Sequence, residues 1–189
     1  MKNEQDLSPF VLKATREEYK NPWISVREDK VTRPGGGDGL FGIVTMKPGS
    51  SVLALTEEGD VFLTKEYKYG IARSSLEVVS GALDEDEQPI DAAKRELREE
   101  LGLEADTWID CGKIDPFTTV VNSPNYMFLC FGMRQSAQQL DPGEVLSFHR
   151  VKFSRAVDMA LNGEITHGAS CVLLLKAERM LRERGIKIR

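Results

Sequence analysis

Short stretches rich in apolar and β-branched residues, broken by polar turn signals, fill the first third of the chain and predict strands over 10–15, 24–31, 40–46, 52–55 and 61–67. Turn-forming residues separate them. Pro34-Gly35-Gly36-Gly37-Asp38-Gly39 reads as a hairpin loop, because no Gly-Lys-Ser/Thr follows to make it a phosphate-binding loop. Thr56-Glu57-Glu58-Gly59-Asp60 reads as a tight turn. From Pro89 a helical period sets in: Ile90, Ala93, Leu97 and Leu101 recur three and four residues apart, Pro89 suits a first helical turn, and Gly102 suits the stop. Further strands are predicted over 107–114, 126–131 and 145–153, then helices over 154–161 and 169–184. No internal repeat or low-complexity tract interrupts this order. Strands around a central amphipathic helix, closed by a helical C-terminus, predict a mixed α/β sandwich.

The helix at Pro89 carries the chemistry. Glu96, Glu99 and Glu100 stand at i, i+3 and i+4, with no lysine among them. Their mutual repulsion is relieved by a divalent cation, and carboxylate oxygens are the donors that Mg²⁺ or Mn²⁺ prefers. An acidic, solvated helix face is the plainer reading of such a string taken alone. Gly81 permits a close approach that a side chain forbids, turning a strand into the loop that precedes the helix. Glu87 is placed to pair with Arg95 across the junction of loop and helix, a structural pair that leaves the other three carboxylates for metal.

Residues Gly81 to Leu103 satisfy the pattern G-x5-E-x7-R-E-U-x-E-E-x-G-U, with U aliphatic, at every fixed place. Chance would produce such a run on the order of once in a billion starting positions, judged from average residue frequencies. The segment is identified as a Nudix box, and this resemblance implies the Nudix fold: a mixed-sheet α/β/α sandwich with an N-terminal β extension. It implies that Glu87 and Arg95 brace the loop, that Glu96, Glu99 and Glu100 bind metal, and that the backbone carbonyl of Ser80 completes the shell. Gly81 and Gly102 complete the structural part of the motif.

Weaker likenesses point to the ADP-ribose pyrophosphatase and nucleotide-sugar pyrophosphatase branch. Asn21-Pro22-Trp23-Ile24-Ser25-Val26 resembles its N-terminal strand, Lys65-Glu66-Tyr67-Lys68-Tyr69 its Lys/Arg-Gln-Tyr/Phe-Arg-Tyr stretch, and Asn162-Gly163-Glu164-Ile165 its approach to the last helix. Glu77 stands where the branch carries glutamate, and both Lys68 and Glu77 are expected at the substrate. Lysine at 68 lacks the two-pronged grip of arginine on phosphate. Trp23 is a candidate for stacking on adenine, with a core or interface position as the alternative. A glutamate on the loop before the last strand often serves as base in this branch, and Glu144 is the match, with Glu99 and Glu100 as alternates. One departure lies beyond the box, where Asp115-Pro116-Phe117-Thr118-Thr119 replaces the Ser-Pro-Gly-like turn of ADP-ribose enzymes.

The resemblance divides the chain into a β extension over 1–45, packed on the core or on a dimer partner, and a hydrolase domain over 46–189. The expected activity is metal-dependent hydrolysis of a pyrophosphate bond in a nucleoside diphosphate derivative, ADP-ribose first and nucleotide sugars second, by a homodimer. A non-catalytic nucleotide sensor is the rival from another class. It is disfavoured because every box glutamate is kept and no basic helix-turn-helix is present.

Composition agrees with these expectations. The 189 residues are 41% apolar and 29% charged, enough for one compact domain. A net charge of −5 disfavours nonspecific binding to long nucleic acid and leaves a small phosphorylated ligand compatible. The absence of a long apolar run and the polar opening, Met1 to Pro9, predict a cytoplasmic protein with no membrane partner. Cys111, Cys130 and Cys171 lack metal-ligand spacing and read as free thiols. His149 and His167 have no partnering nucleophile signature and read as structural or surface groups.

Overall fold

The computed structural model describes residues 8–138 and 146–185. In chain order it contains β1 (Val11–Lys20), β2 (Ile24–Thr32), β3 (Asp38–Met46), β4 (Gly49–Ala54), β5 (Asp60–Lys68), β6 (Arg73–Glu77), β7 (Val79–Ala82), α1 (Pro89–Leu101), β8 (Leu103–Ile114), β9 (Val121–Asn122), β10 (Asn125–Gln135), β11 (Ser147–Lys152), α2 (Phe153–Leu161) and α3 (Gly168–Glu183). A 3₁₀ turn, Tyr69–Ile71, follows β5. The chain separates into two compact units, Met1–Lys47 with Asp115–Ser123, and Pro48–Ile114 with Pro124–Arg189.

The first unit is one sheet in the order β1-β2-β3-β9, antiparallel except for the short parallel pairing of β9 with β3. The glycine-rich segment is the hairpin between β2 and β3. Its turn needs positive φ at Gly35 and Gly36, 94° and 95°, and is closed by the Arg33 N–H donating to the Gly37 carbonyl at 2.7 Å. The strand expected over 10–15 runs on to Lys20, and every one of its side chains is exposed. Charged residues occupy its second half, so its main-chain pairing with β2, register Glu17↔Arg27 and Lys20↔Ser25, holds it without an apolar stripe.

The second unit places apolar residues on both faces of a sheet ordered β7-β4-β10-β8, with β4 and β10 parallel and the other pairs antiparallel. Alternation in the strands decides which helix each residue meets. Val52 and Ala54 of β4 and Phe128 and Cys130 of β10 join Ala93 and Leu97 of α1 in one buried cluster. Their neighbours Leu53, Met127 and Leu129 face the opposite way, into a cluster with Ala156 and Val157 of α2 and Leu173, Leu174 and Ala177 of α3. Helices therefore cover both faces of the sheet, which is the α/β/α sandwich expected from the sequence. A second sheet, β11-β5-β6, adds Val61 and Leu63 to the α2–α3 side.

Helix α1 has the limits its punctuation predicts. Pro89 occupies the first turn, where no amide partner is required, and Gly102 closes the end at φ 62° with its N–H donating to the Arg98 carbonyl at 2.9 Å. Strand β7 is the one expected to lead through Gly81 into the loop, whereas β6 and β9 were not anticipated from the sequence. They are short, and β6, Arg-Ser-Ser-Leu-Glu, carries one large apolar residue, too few to establish a period. Among the described residues no helix is long and apolar enough to cross a membrane.

Candidate active site

Strand β7 and helix α1 meet at Gly81. A Cβ built there would stand 1.8 Å from Glu96 Oε1, so the glycine gives its side-chain space to the Glu96 carboxylate. Arg95 ties the preceding loop to the helix. Its Nε donates to Glu87 Oε1 and its Nη2 to Glu87 Oε2, each at 2.9 Å, a two-pronged pair, while Nη2 also reaches the Ala82 carbonyl at 2.9 Å. Glu87 Oε2 accepts the Asp84 N–H as well, at 2.9 Å, which fixes the loop to its own carboxylate. The third nitrogen, Nη1, donates to Glu96 Oε1 at 2.7 Å and to Glu99 Oε2 at 3.0 Å. Hydrogen bonds to Glu87 foremost, then the charges and bonds of Glu96 and Glu99, overcome partial burial and raise the Arg95 pKa above its ordinary value.

Glu100 occupies the inner side of the same helix and is only 7% exposed. Its charge acts on Lys68 at the end of β5. Burial pulls the Lys68 pKa down, but a short hydrogen bond to Glu66 and the charges of Glu77, Glu66 and Glu100 outweigh it, so the net shift is upward and the ammonium is held charged. Glu77, at the end of β6, is 9% exposed and lies 3.4 Å from His167 Nδ1 through Oε2. His167 precedes the first turn of α3, and its Nδ1 is 2.8 Å from Ser170 Oγ, which in turn accepts the Val78 N–H at 3.0 Å. Burial, with help from the Lys68 charge and against the pull of Glu77, lowers the His167 pKa below its ordinary value. Four elements, β5, β6, α1 and α3, thus converge on Lys68, Glu77, Glu100 and His167.

The residues singled out in the sequence are therefore distributed unevenly. Glu96 and Glu99 lie around Arg95, Glu100 lies toward Lys68 and Glu77, and Ser80 sits beside Gly81 with its hydroxyl bonded to Ser51 Oγ at 2.9 Å and the Val78 carbonyl at 3.1 Å. Trp23, in the first unit, is 71% exposed. Glu144 lies outside the described residues. His167, read from the sequence as a structural or surface group, stands beside Glu77. The available signal was its place just before a predicted helix with Ser170 three residues on, within reach of its ring.

Among the described residues no three histidine, cysteine, aspartate or glutamate side chains converge in a metal-holding arrangement. Arg95 Nη1 bridges Glu96 and Glu99 instead. The donor set itself suits a hard divalent cation: it is all oxygen, and Gly81 clears the ground under Glu96. Nε and Nη2 stay anchored on Glu87 and Ala82, so Nη1 can yield the two carboxylates to an ion without loss of the loop brace.

Comparison with known proteins agrees with this geometry. Residues 45–169 match the NUDIX domain family, and residues 12–44 match the nucleoside diphosphate sugar hydrolase N-terminal domain. The chain belongs to the Nudix family. Within it, the chain is similar to proteins named ADP-ribose pyrophosphatase: one from Mycobacterium tuberculosis is 30% identical over 113 residues, covering 59% of this chain and 55% of that protein. Another, from Bacillus subtilis, is 26% identical over 150 residues, covering 75% of this chain and 78% of its own length. A methanol dehydrogenase activator from Bacillus methanolicus is 23% identical over 151 residues, covering 76% of this chain and 78% of its own. A crystal structure described as an ADP compounds hydrolase superposes with a TM-score of 0.83, at 17% identity, over 95% of this chain and 98% of that one.

Proposed function

We propose that this protein hydrolyses the pyrophosphate bond of a nucleoside diphosphate joined to another group, with ADP-ribose, cleaved to AMP and ribose 5-phosphate, as its substrate. The observation that carries the reading is the acidic helix α1 seated against Gly81 and braced through Arg95. The names of the relatives support the choice of ADP-ribose. A nucleotide sugar is the second reading, favoured by the description of the family matched at residues 12–44.

Glu96, Glu99 and Glu100, with the Ser80 carbonyl, are the groups that would hold Mg²⁺ or Mn²⁺, and a bound ion would supply charge neutralisation at the phosphates and lower the pKa of the attacking water. The chain's own residues do the rest. Arg95 keeps the loop and helix in one geometry, so the carboxylates are preorganised. Lys68, held as an ammonium, offers positive charge to a substrate phosphate. Glu77 is offered to the substrate beside it; its charge helps keep the Lys68 ammonium, which hydrogen-bonds to Glu66, and it lies next to His167. Glu144 takes the proton from water, with Glu99 and Glu100 as alternates. The exposed Trp23 indole is offered for stacking on a nucleobase. The working form is a homodimer, and no long nucleic acid is bound.

A panel of nucleoside diphosphate compounds, assayed with Mg²⁺ and scored for AMP release against sugar-nucleotide turnover, tests the substrate assignment. ADP-ribose is expected to give the highest kcat/KM, and a nucleotide sugar ahead of it would replace the first reading by the second. Glu100→Gln keeps the size and removes the charge. Turnover is expected to fall by about two orders of magnitude or more, with the far-ultraviolet spectrum unchanged; near-normal turnover by the folded variant would refute the metal role.

A further inference from the structure

The outer face of α1 bounds a cavity of about 480 Å³, lined by Lys94, Arg95 and Arg98 from the helix, Trp108 from β8 and Arg134 from β10. Asp91 and Glu104 are the acidic members of its wall. In a chain whose net charge is −5, this one hollow gathers four cationic side chains against two acidic ones. The helical part follows from spacing, since positions 91, 94, 95 and 98 recur at three and four residues and form one stripe.

These cations are not equally committed. Arg134 is held in place by Glu104 at 3.0 Å and by a short contact with Asp106. Lys94 reaches Asp91 only at 3.8 Å. Arg95 spends its donors on the box and lends the cavity charge alone. Among the described residues the Arg98 guanidinium has no hydrogen-bond or ion-pair partner, and so keeps all five of its donors for a ligand. Guanidinium forks match phosphate oxygens in pairs, and the volume lies within the range of small-molecule sites, roughly 300–1,000 Å³. The indole of Trp108 adds an aromatic wall, steadied by its N–H bond to the Ala105 carbonyl at 3.1 Å and by an edge-to-face contact with Phe128 at 6.4 Å.

We infer that this cavity on the outer face of α1 is a second ligand site, which binds an oligophosphate anion between Arg98, Lys94 and Arg134. The cavity shares Arg95 with the box but none of the box carboxylates lines it, and the inference stands whichever diphosphate compound the enzyme cleaves. Two sources share the chemistry, an inorganic chain of phosphates and the phosphate tail of a nucleotide, and Trp108 favours the second only if a base stacks on it.

Trp23 and Trp108 are the two tryptophans of the chain, so a Trp23→Phe protein reports from the cavity wall alone. Inorganic tripolyphosphate and ATP are titrated into it in EDTA, at constant ionic strength set with chloride, which keeps metal-dependent binding at the box out of the measurement. A saturable change in Trp108 emission is expected, with Kd raised about tenfold or more in Arg98→Gln, the loss of one charge-assisted contact. Calorimetric titration of the otherwise unaltered chain and of Arg98→Gln gives the same comparison should Trp23→Phe fold poorly. Equal affinity for the two probes assigns the site to phosphate alone, and tighter ATP binding that Trp108→Leu abolishes assigns it to a nucleotide. No saturable binding, or a Kd indifferent to Arg98→Gln, overturns the inference.

Discussion

A methyl group at position 81 would compete with a carboxylate for one place, since its Cβ stands 1.8 Å from Glu96 Oε1. The atom it meets is the far end of a flexible side chain, so the side chain gives way rather than the backbone. Gly81→Ala is therefore expected to change unfolding free energy by less than about 1 kcal/mol, as substitutions outside the core do. Activity is expected to suffer more, with the Mg²⁺ concentration for half-maximal turnover rising about tenfold, the scale of a disturbed ligand support. A denaturant titration beside a metal titration of activity checks both halves, and parallel losses in the two would contradict the account. This glycine was legible in the sequence as a place where something comes close, but which group comes close was not. The same holds for Arg95, whose pairing with Glu87 follows from spacing while its bridge between Glu96 and Glu99 depends on side-chain rotamers.

At the scale of elements, α3 is preceded by a histidine whose partner lies on β6. His167 Nδ1 lies near Ser170 Oγ and Glu77 Oε2, and burial lowers its pKa from an ordinary value of 6.5. As pH falls through about 6.5 the unfolded chain takes up a proton that the folded chain still refuses, so folding stability drops with falling pH until the folded group titrates too. Denaturant midpoints measured from pH 7.5 down to pH 5 are expected to fall less steeply in His167→Asn, whose side chain is tolerated at a helix N-terminus and cannot titrate. Identical slopes in the two proteins would remove His167 as the source. The nearby Ser170 was visible in the sequence but the pairing with Glu77 was not, because Glu77 is ninety positions away along the chain. By contrast α1 was readable to the residue, since proline and glycine mark its ends. The second half of β1 was not, because pairing with β2 through the main chain leaves no mark on side chains that all face water.

For the molecule as a whole, strands around a central amphipathic helix and a helical C-terminus were enough to foretell a sheet covered on both faces, whereas the strand order β7-β4-β10-β8 was beyond the sequence. Parallel pairing of β4 with β10 joins segments more than seventy residues apart, and such pairing depends on how the intervening elements pack. Alternation along β4 and β10 also splits the interior into two compartments, with Val52 and Phe128 beneath the acidic helix and Leu53 and Leu129 beneath the C-terminal pair. The backbone of the sheet stands between them as a partition. Damage on one side is thereby insulated from the other: Val52→Ala combined with Leu129→Ala is expected to sum to within about 0.5 kcal/mol in unfolding free energy, whereas Val52→Ala combined with Leu97→Ala is expected to deviate by more than that. Only the compartment under α1 touches the helix that carries the carboxylates, so sequence drift in the other half of the interior can proceed without the catalytic helix registering it.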